Sequence, residues 1–586
     1  MRIARVLPDV SGLEKQFDYV VPAAMDARVR IGSMVRIDLA GRRVGGWVVE
    51  LFDGGLGRQA GAPAVDKLKP IAKLTGLGPG SDVVELAGWA AHRWAGRWRS
   101  VLTAASPPRA VSALGIARHG AYDGVATDRH AVALLQCGGG VLRVTPTNDY
   151  IDVVATALSI GPSLVVTPSI DMARRVGGRL RGLGVVPALA GRDWSAAASG
   201  VDLVIGARSA VLATVPGLRS IVVLDEHDEA LQEERNPTWH ARDVAIERAH
   251  RLGIPCLLVS PSPSPNAITW AGDRILAPSR QEERGGWPIV EAVDRSAEEP
   301  WVTSLVTPRL IAALRDPTKR VVCVLNTTGR AKRLACRTCR QLTVCEHCGA
   351  AVNQRADGVL VCPLCATERP VVCQHCGAGG LAVLRPGVTR LREELEAAAG
   401  RPAVEITGAT DIDLHVDPAV GVFVGTEAVL HRVRVANVVA FLDFDSELLS
   451  ARYRAVDQAV AMVVRAARLV GQRSGGGRVL LQTRDPLHPI NDALVQANPV
   501  SLLGPELHTR ELLGFPPFMS LAMISGTGVE EFACGLQSDG RVQVNGPAGG
   551  RFLIRASTPD ELADALGEQP RPAKSRIRVE VDPPRI

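Results

Sequence analysis

The stretch IVVLDEHDEAL, Ile221 to Leu231, decides the fold. An apolar run ends in Asp225-Glu226 and is followed at once by His227. A run of that kind reads as a strand buried in a parallel sheet. An acidic pair at the end of such a strand is how phosphate-hydrolysing enzymes hold Mg²⁺ and orient a water. That chemistry needs two more parts. A phosphate-binding loop must stand upstream, and arginines must arrive from a second lobe.

Working outward, runs of the same kind recur between about residue 130 and residue 300: VLRVTP, PSLVVTP, GVDLVIGA and IPCLLVSPS, with helical segments between them. A second set, VGVFVGTE, NVVAFLDFD and RVLLQT, follows a cysteine-rich segment. Strands alternating with helices predict parallel α/β sheets, here two lobes with the cysteines inserted in the second. Residues 1–75 instead alternate apolar and polar positions between turns (RIARVLP, FDYVVP, GSMVRIDLAGRRVGGWVVEL), which predicts a small β-rich domain. The 81–104 stretch has helical spacing. Its Trp89, Trp94 and Trp98 interleave with Arg93, Arg97 and Arg99, as in a helix packed on that domain or in a surface that stacks bases. The final hundred or so residues read as a small α+β domain.

Bulk properties bound the function. The 586 residues are enough for several domains at about 150 residues each. A net charge of +6 excludes a polybasic chain, but residues 1–100 carry fifteen Lys/Arg against ten Asp/Glu. A basic first domain suits nucleic acid. No secretory h-region and no run of about 18 or more apolar residues is present, so neither export nor a membrane span is expected.

Of twelve cysteines, eight form four C-x-x-C pairs between Cys336 and Cys376. Each pair offers two thiolates to one tetrahedral ion, so Cys336, Cys339, Cys345, Cys348, Cys362, Cys365, Cys373 and Cys376 predict two closed Cys₄ sites and two structural zinc ions per chain. Spacing does not say which pairs share an ion, although a nested arrangement fits. The isolated Cys137, Cys256, Cys323 and Cys534 read as small buried residues and not as ligands.

These blocks, in this order, resemble the PriA family of replication-restart helicases (primosomal protein N′) along nearly the whole chain. The cysteine spacing, the lead-in LNTTGRAKRLACRTC, VIGARSA (204–210), IVVLDEHD (221–228), WHARDVAIERAHRLGIP (239–255), VFVGTEAV (422–429), VVAFLDFDSELLSARYRAVDQA (438–459), ELHTRELLGFPPF (506–518) and FDYVVP (17–22) carry the resemblance. It implies an α/β multidomain fold with two RecA-like helicase lobes, an inserted Cys₄ zinc module, an N-terminal β-rich domain that grips 3′-ended DNA, and a small α+β C-terminal domain. The expected boundaries are 1–105, 106–300, 301–335 with 377–486, 336–376 and 487–586. The resemblance also implies that Cys336, Cys339, Cys373 and Cys376 share one zinc and that Cys345, Cys348, Cys362 and Cys365 share the other. Implied partners are branched or 3′-ended DNA, primosome and helicase-loading proteins and single-stranded DNA-binding protein, in the cytoplasm at the nucleoid. Asp18 matches the residue that meets the terminal base, with Phe17 and Tyr19 shaping the pocket. Arg36, Arg42 and Arg43 are candidate phosphate contacts.

The nucleotide motifs depart from the family. The phosphate loop reads VTPTNDY, Val144 to Tyr150. Pro146 and Asn148 replace loop glycines, and proline offers no N–H to a phosphate. Thr147 lies between them in the same degenerate loop. Asp149 stands in place of the lysine, and Tyr150 in place of the Mg²⁺-binding hydroxyl residue. The acidic box is one Glu short, VSPSP (259–263) replaces GSATP, and GTEAVLHRVRV (425–435) replaces the next motif. In RAARLVGQ (465–472) Leu469 and Gln472 take the arginine-finger positions, which leaves Arg465 and Arg468 on other helix faces. A winged-helix insert is nearly absent, and the tail is shortened around 524–545. The expected reading is a fork-recognising replication-restart protein that assembles the primosome. Asp225, Glu226 and His227 are then a remnant, ATP and Mg²⁺ have no competent site, and the chain is not a working enzyme. The alternative is a weakly active ATP-dependent 3′→5′ DNA helicase. His227 and His240 read as structural.

Overall fold

Ser220–Leu224, the strand of the opening stretch, is buried at every residue and lies in the middle of a parallel sheet. The computed structural model describes residues 1–53, 67–298, 304–326, 333–355, 358–363, 365–384, 388–406, 421–450 and 452–585. The first lobe's sheet has the order Ile275–Leu276, Gly139–Arg143, Cys256–Ser260, Ser220–Leu224, Ser163–Val166, Leu203–Gly206, Pro187–Leu189. All its pairings are parallel. The strands' C-terminal ends therefore share one edge, where open α/β sheets bind ligands. Val144–Tyr150, Asp225–Asp228 and Ser260–Ser264 all emerge there.

The second lobe repeats the plan, in the order Ile289–Asp294, Arg478–Thr483, Val438–Phe441, Val321–Val324, Val422–Gly425, Ala403–Ile406, again all parallel. One expected boundary changes. Ile289–Asp294, assigned by sequence to a first lobe ending at 300, pairs with Arg478–Thr483 and belongs to the second. An edge strand carries no local sign of which sheet it joins, because its partner is far away in sequence. Residues 299–303, around the expected junction, lie outside the described residues.

The strands Arg333–Cys336 and Leu381–Leu384 pair antiparallel and bring the two ends of the cysteine segment together. Beyond them lies a small sheet of Asn353–Gln354, Val359–Val361 and Glu368–Pro370. Residues 327–332 of the lead-in LNTTGRAKRLACRTC lie outside the described residues.

The N-terminal domain is an antiparallel five-stranded sheet ordered Phe17–Val20, Arg2–Pro8, Arg42–Asp53, Met34–Leu39, Lys73–Gly76. One of its faces packs on the helices Ser81–Arg93 and Trp98–Ala105 through Leu7 and Trp47. The tryptophans of those helices serve packing. Trp94 is fully buried and meets Trp89 edge-on at 5.6 Å, and the Trp98 indole donates to the Val84 carbonyl at 3.2 Å. The C-terminal domain is an antiparallel sheet, ordered Gln543–Ala548, Arg551–Ala556, Ser520–Thr527, Arg576–Val581, with the helices Val529–Asp539 and Pro559–Glu568. Among the described residues no helix is long and apolar enough to cross a membrane.

Candidate functional site

At the sheet edge the Val144–Tyr150 loop satisfies its own backbone. The Asn148 side chain accepts from the Tyr150 N–H at 2.7 Å, and the Asp149 side chain from the Ile151 N–H at 3.1 Å. Backbone donors that cradle phosphate in a glycine-rich loop are thus engaged internally. Asp149 also pairs with Arg179 at 2.6 Å, and the Thr147 hydroxyl donates to the Gly286 carbonyl at 3.0 Å. Gly286 presses on the loop from outside: a Cβ there would meet the Thr145 side chain at 2.4–2.6 Å.

Tyr150 adopts a left-handed φ of 64° at the start of the Ile151–Leu158 helix, and its buried ring points inward. Its hydroxyl donates to Asp225 Oδ1 at 2.6 Å. Asp225, also left-handed (φ 53°) and 1% exposed, is the residue that would hold Mg²⁺ in a working motor. Here it receives Arg468 from the second lobe, with Nη1 and Nη2 on its two carboxylate oxygens at 2.5 Å each. The same guanidinium donates to the Pro146 carbonyl at 2.9 Å and to the Tyr150 hydroxyl. Burial opposes the charge on Asp225, but Arg468 outweighs it and holds the carboxyl below its ordinary pKa. Tyr150 moves the other way: burial keeps its phenol protonated far into alkali.

Glu226 is fully buried and equally engaged. It accepts from the Ser264 N–H at 2.6 Å, from the Ser264 hydroxyl at 2.8 Å and from Arg242 at 3.5 Å. His227 Nδ1 lies 2.7 Å from Ser260 Oγ, and burial lowers its pKa. His240 caps the Ala241–Leu252 helix by accepting the Arg242 N–H at 3.2 Å, so both histidines sit in structural roles.

Sequence register puts Arg465 and Arg468 on helix faces other than that of the finger positions, yet the structure turns both toward the cleft. Both lie on the face of the Ala455–Val470 helix turned toward the first lobe, where Arg465 meets Asp228 at 2.5 Å. Register against a family motif assigned them to the wrong side. Their three-residue spacing, which puts two side chains on one helix face, was the available signal.

In the insert the four knuckles resolve into two groups, Cys336/Cys339/Cys373/Cys376 and Cys345/Cys348/Cys362/Cys365, each with its Sγ atoms within 4.8 Å of one another. The nearest sulfurs, Cys336–Cys376, Cys339–Cys373, Cys345–Cys365 and Cys348–Cys362, stand 3.4–3.5 Å apart. That is too long for disulfides and close to the roughly 3.8 Å between sulfurs on a tetrahedral ion with bonds of about 2.3 Å. Four thiols in each group, with no fifth donor among the described residues, suit a closed, structural metal ion. Burial works against the Cys336 thiolate, but amide donation from Cys339 and Thr338 outweighs it and brings its pKa down to about 6.

In the N-terminal domain the candidate DNA residues separate. Tyr19 is buried in the sheet core with Phe17 beside it, and its hydroxyl donates to the Asp38 carbonyl at 3.2 Å. Asp18 projects from the opposite face, where Arg5 meets it at 3.0 Å and also reaches Glu50 at 2.5 Å. Phe17 and Tyr19 therefore belong to the core and do not wall a pocket around Asp18. Arg36, Arg42 and Arg43 are exposed on the Met34–Asp53 hairpin, with Arg36 and Arg43 on the Asp18 face, where Arg43 pairs loosely with Asp38 at 3.4 Å. Arg5 was not singled out from the sequence, although it stands directly opposite Asp18 in the register.

Comparison with known proteins fits this architecture. A family model for the PriA 3′ DNA-binding domain (3′BD) matches residues 5–107. The chain is 29% identical over 676 residues to the probable replication restart protein PriA of Mycobacterium tuberculosis (strain ATCC 25618 / H37Rv), covering 98% of this chain and 99% of the relative. It is 26% identical over 397 residues to replication restart protein PriA of Thermotoga maritima, covering 62% and 53%, and 24% identical over 433 residues to that of Bacillus subtilis, covering 68% and 53%. Among solved structures, S. cerevisiae Dbp5 bound to RNA and ADP BeF3 superposes with a TM-score of 0.33 at 11% identity, covering 63% of this chain and 83% of that one, too distant to bear on function. A match confined to residues 5–107 could report a shared module alone. The mycobacterial alignment runs on through both lobes, the cysteine insert and the last strands, so the likeness to the replication restart protein PriA extends over nearly the whole chain.

Proposed function

We propose that this protein recognises stalled or abandoned replication forks by their DNA structure and assembles the primosome there, without helicase activity. The observation that carries the second half is the cleft. Asp225, which would hold Mg²⁺ in a motor, is bound by Arg468 and Tyr150, and Glu226, which would orient the water, is bound by Ser264 and Arg242. Asp149 adds an anion where a triphosphate needs a cation. The fork-binding half rests on the 3′ DNA-binding domain, with Asp18 facing the DNA end and Arg36, Arg42 and Arg43 on phosphates. Such contacts make binding salt-dependent and indifferent to sequence. Each Cys₄ group holds one zinc, two per chain, as scaffolding. Helicase-loading proteins and single-stranded DNA-binding protein are the partners, in the cytoplasm at the nucleoid.

A weakly active 3′→5′ helicase is the second reading. The observation that favours it is that Arg465 and Arg468 do reach the first lobe, as arginine fingers must. DNA-stimulated ATP hydrolysis on a fork with a leading-strand 3′ end, with fork binding measured alongside, decides between them. Binding with no hydrolysis above background is the expected result. Hydrolysis abolished by Asp225→Asn with Glu226→Gln would establish the helicase instead.

A further inference from the structure

The Ala455–Val470 helix does more than place one arginine in the cleft. Its contacts with the first lobe run in strict antiparallel order along the opening stretch. Arg468 meets Asp225, and Arg465 meets Asp228 at 2.5 Å. Gln458 donates to Glu229, and Arg454, at the helix N-cap, donates to the Gln232 side-chain carbonyl at 3.2 Å. Positions 454, 458, 465 and 468 share a helix face, since their separations of four, seven and three residues are each close to a whole number of turns. The residues that face them, 225, 228, 229 and 232, come from the acidic box and the short turn after it.

We infer that this four-rung zipper is a built-in clasp that holds the two lobes closed in one fixed arrangement, with the Arg468 guanidinium standing where Mg²⁺-nucleotide would bridge the lobes of a motor. The inference rests on the reading that the chain turns over no ATP, and it adds that the lobes do not move relative to each other. Three further facts support it. Four donors of Arg468 are used at once, so its planar fork is fully oriented by the first lobe. A second clasp holds the other side of the junction: Arg280 donates to the Ala497 and Gln496 carbonyls at 2.7 Å each, and Arg284 to the Gln496 side chain at 3.0 Å, just after the Pro489–Val495 helix, which packs into the second lobe's core through Ile490 and Leu494. The C-terminal domain straps both lobes. Its Asp582 carbonyl accepts from Gln232 at 2.8 Å, and Arg510, from the helix that leads into it, reaches Asp457 at 2.5 Å. Gln232 is thus shared by the first lobe, the second lobe and the C-terminal domain.

In a motor this face must part once per cycle; here it is built from the chain's own charges. The consequence is a rigid surface of fixed geometry for DNA and partners, indifferent to nucleotide.

Hydrogen–deuterium exchange on the full-length protein tests this. In the wild type, peptides covering 221–232 and 455–470 should exchange at the same rate with and without Mg²⁺-ATP. Arg465→Ala with Arg468→Ala should raise exchange in both peptides by about 10-fold and leave the N-terminal sheet and the cysteine insert unchanged. Unchanged exchange in the double variant overturns the clasp while leaving the absence of hydrolysis intact. A response of the wild-type peptides to Mg²⁺-ATP, with hydrolysis, overturns the motorless reading itself. If the double variant unfolds throughout, Asp228→Asn removes a single rung at a partly exposed site. Opening confined to the same two peptides then supports the clasp, and no opening overturns it.

Discussion

At the scale of single residues, the buried histidines make stability depend on pH. His240 must stay neutral to accept the Arg242 N–H, and burial, reinforced by Arg242 and Arg454 and opposed by Asp243, holds its pKa well below 6.5. The folded state therefore binds fewer protons than the unfolded one just below pH 6.5. Its contribution is complete above that value and is lost as pH falls toward the depressed folded value, by up to about 1.4 kcal/mol per pH unit. Thermal melts between pH 8 and pH 5 should show a falling Tm. His240→Asn keeps a capping acceptor without a titrating ring and should flatten the fall. An equally steep fall in that variant would rule the explanation out. Asp225 behaves differently: its carboxyl lies below the ordinary value, so its bond to Arg468 persists through this range and fails only in acid below about pH 4. In the N-terminal domain Arg5→Ala leaves Asp18 without its 3.0 Å partner in a part-buried site. The variant should lose about 3 kcal/mol in chemical denaturation and should weaken binding to 3′-ended DNA, because Asp18 then loses the Arg5 contact that helps orient it. A loss below about 0.5 kcal/mol would mean the pair holds nothing in place.

Elements differ in how much of them the sequence reveals, and the difference follows the range of the interactions that build them. The strands Ser220–Leu224, Cys256–Ser260 and Val438–Phe441 are legible because burial on both faces writes a continuous apolar run. The cysteine knuckles are legible because each C-x-x-C is a local unit. Which sheet Ile289–Asp294 joins is set by a partner at Arg478–Thr483, and no local pattern records that. The same holds for Arg468, whose target Asp225 lies 243 residues away. For the cysteine insert, the two Cys₄ groups serve different pieces. Cys336/Cys339/Cys373/Cys376 hold its ends together, whereas Cys345/Cys348/Cys362/Cys365 tie the segment before the small sheet to the turn between its second and third strands. Elemental analysis should find about two zinc per chain. Cys345→Ser with Cys348→Ser should release one of them and expose the 353–370 amides to exchange while the Arg333–Cys336 and Leu381–Leu384 pairing persists. Loss of both ions together would mean that the groups fold as one unit.

Over the whole molecule, apolar packing and polar straps divide the chain unequally. One hydrophobic cluster runs from Leu7 and Trp47 through the Ser81–Arg93 helix into one face of the first lobe, and reaches Val579 and Val581 at the other end of the chain. Side chains reinforce the junction. Asn236 and Thr238 of the first lobe donate to the Val579 and Val581 carbonyls at 2.9 and 2.8 Å, and Arg93 meets Asp582 at 3.2 Å. The N-terminal domain, the first lobe and the C-terminal domain should therefore unfold together. The second lobe has cores of its own, and it meets the rest mainly through the charged zipper, the Arg280 clasp and the patch where Tyr453 stacks on Phe515 at 5.2 Å beside Arg510. Cooperativity between the two parts thus rests on polar contacts, which contribute little when alone and more as a network. Calorimetry of the wild type should show the two parts melting in one merged transition. Arg465→Ala with Arg468→Ala should leave it merged, because the C-terminal strap still bridges the lobes. Adding Arg510→Ala, which removes the bond to Asp457 and the contact with the Tyr453 ring, should split it into two transitions, the lower one belonging to the second lobe. If the triple variant still melts in one step, the lobes are coupled through surfaces other than these straps; if the zipper variant alone splits the transition, the C-terminal domain carries none of the coupling.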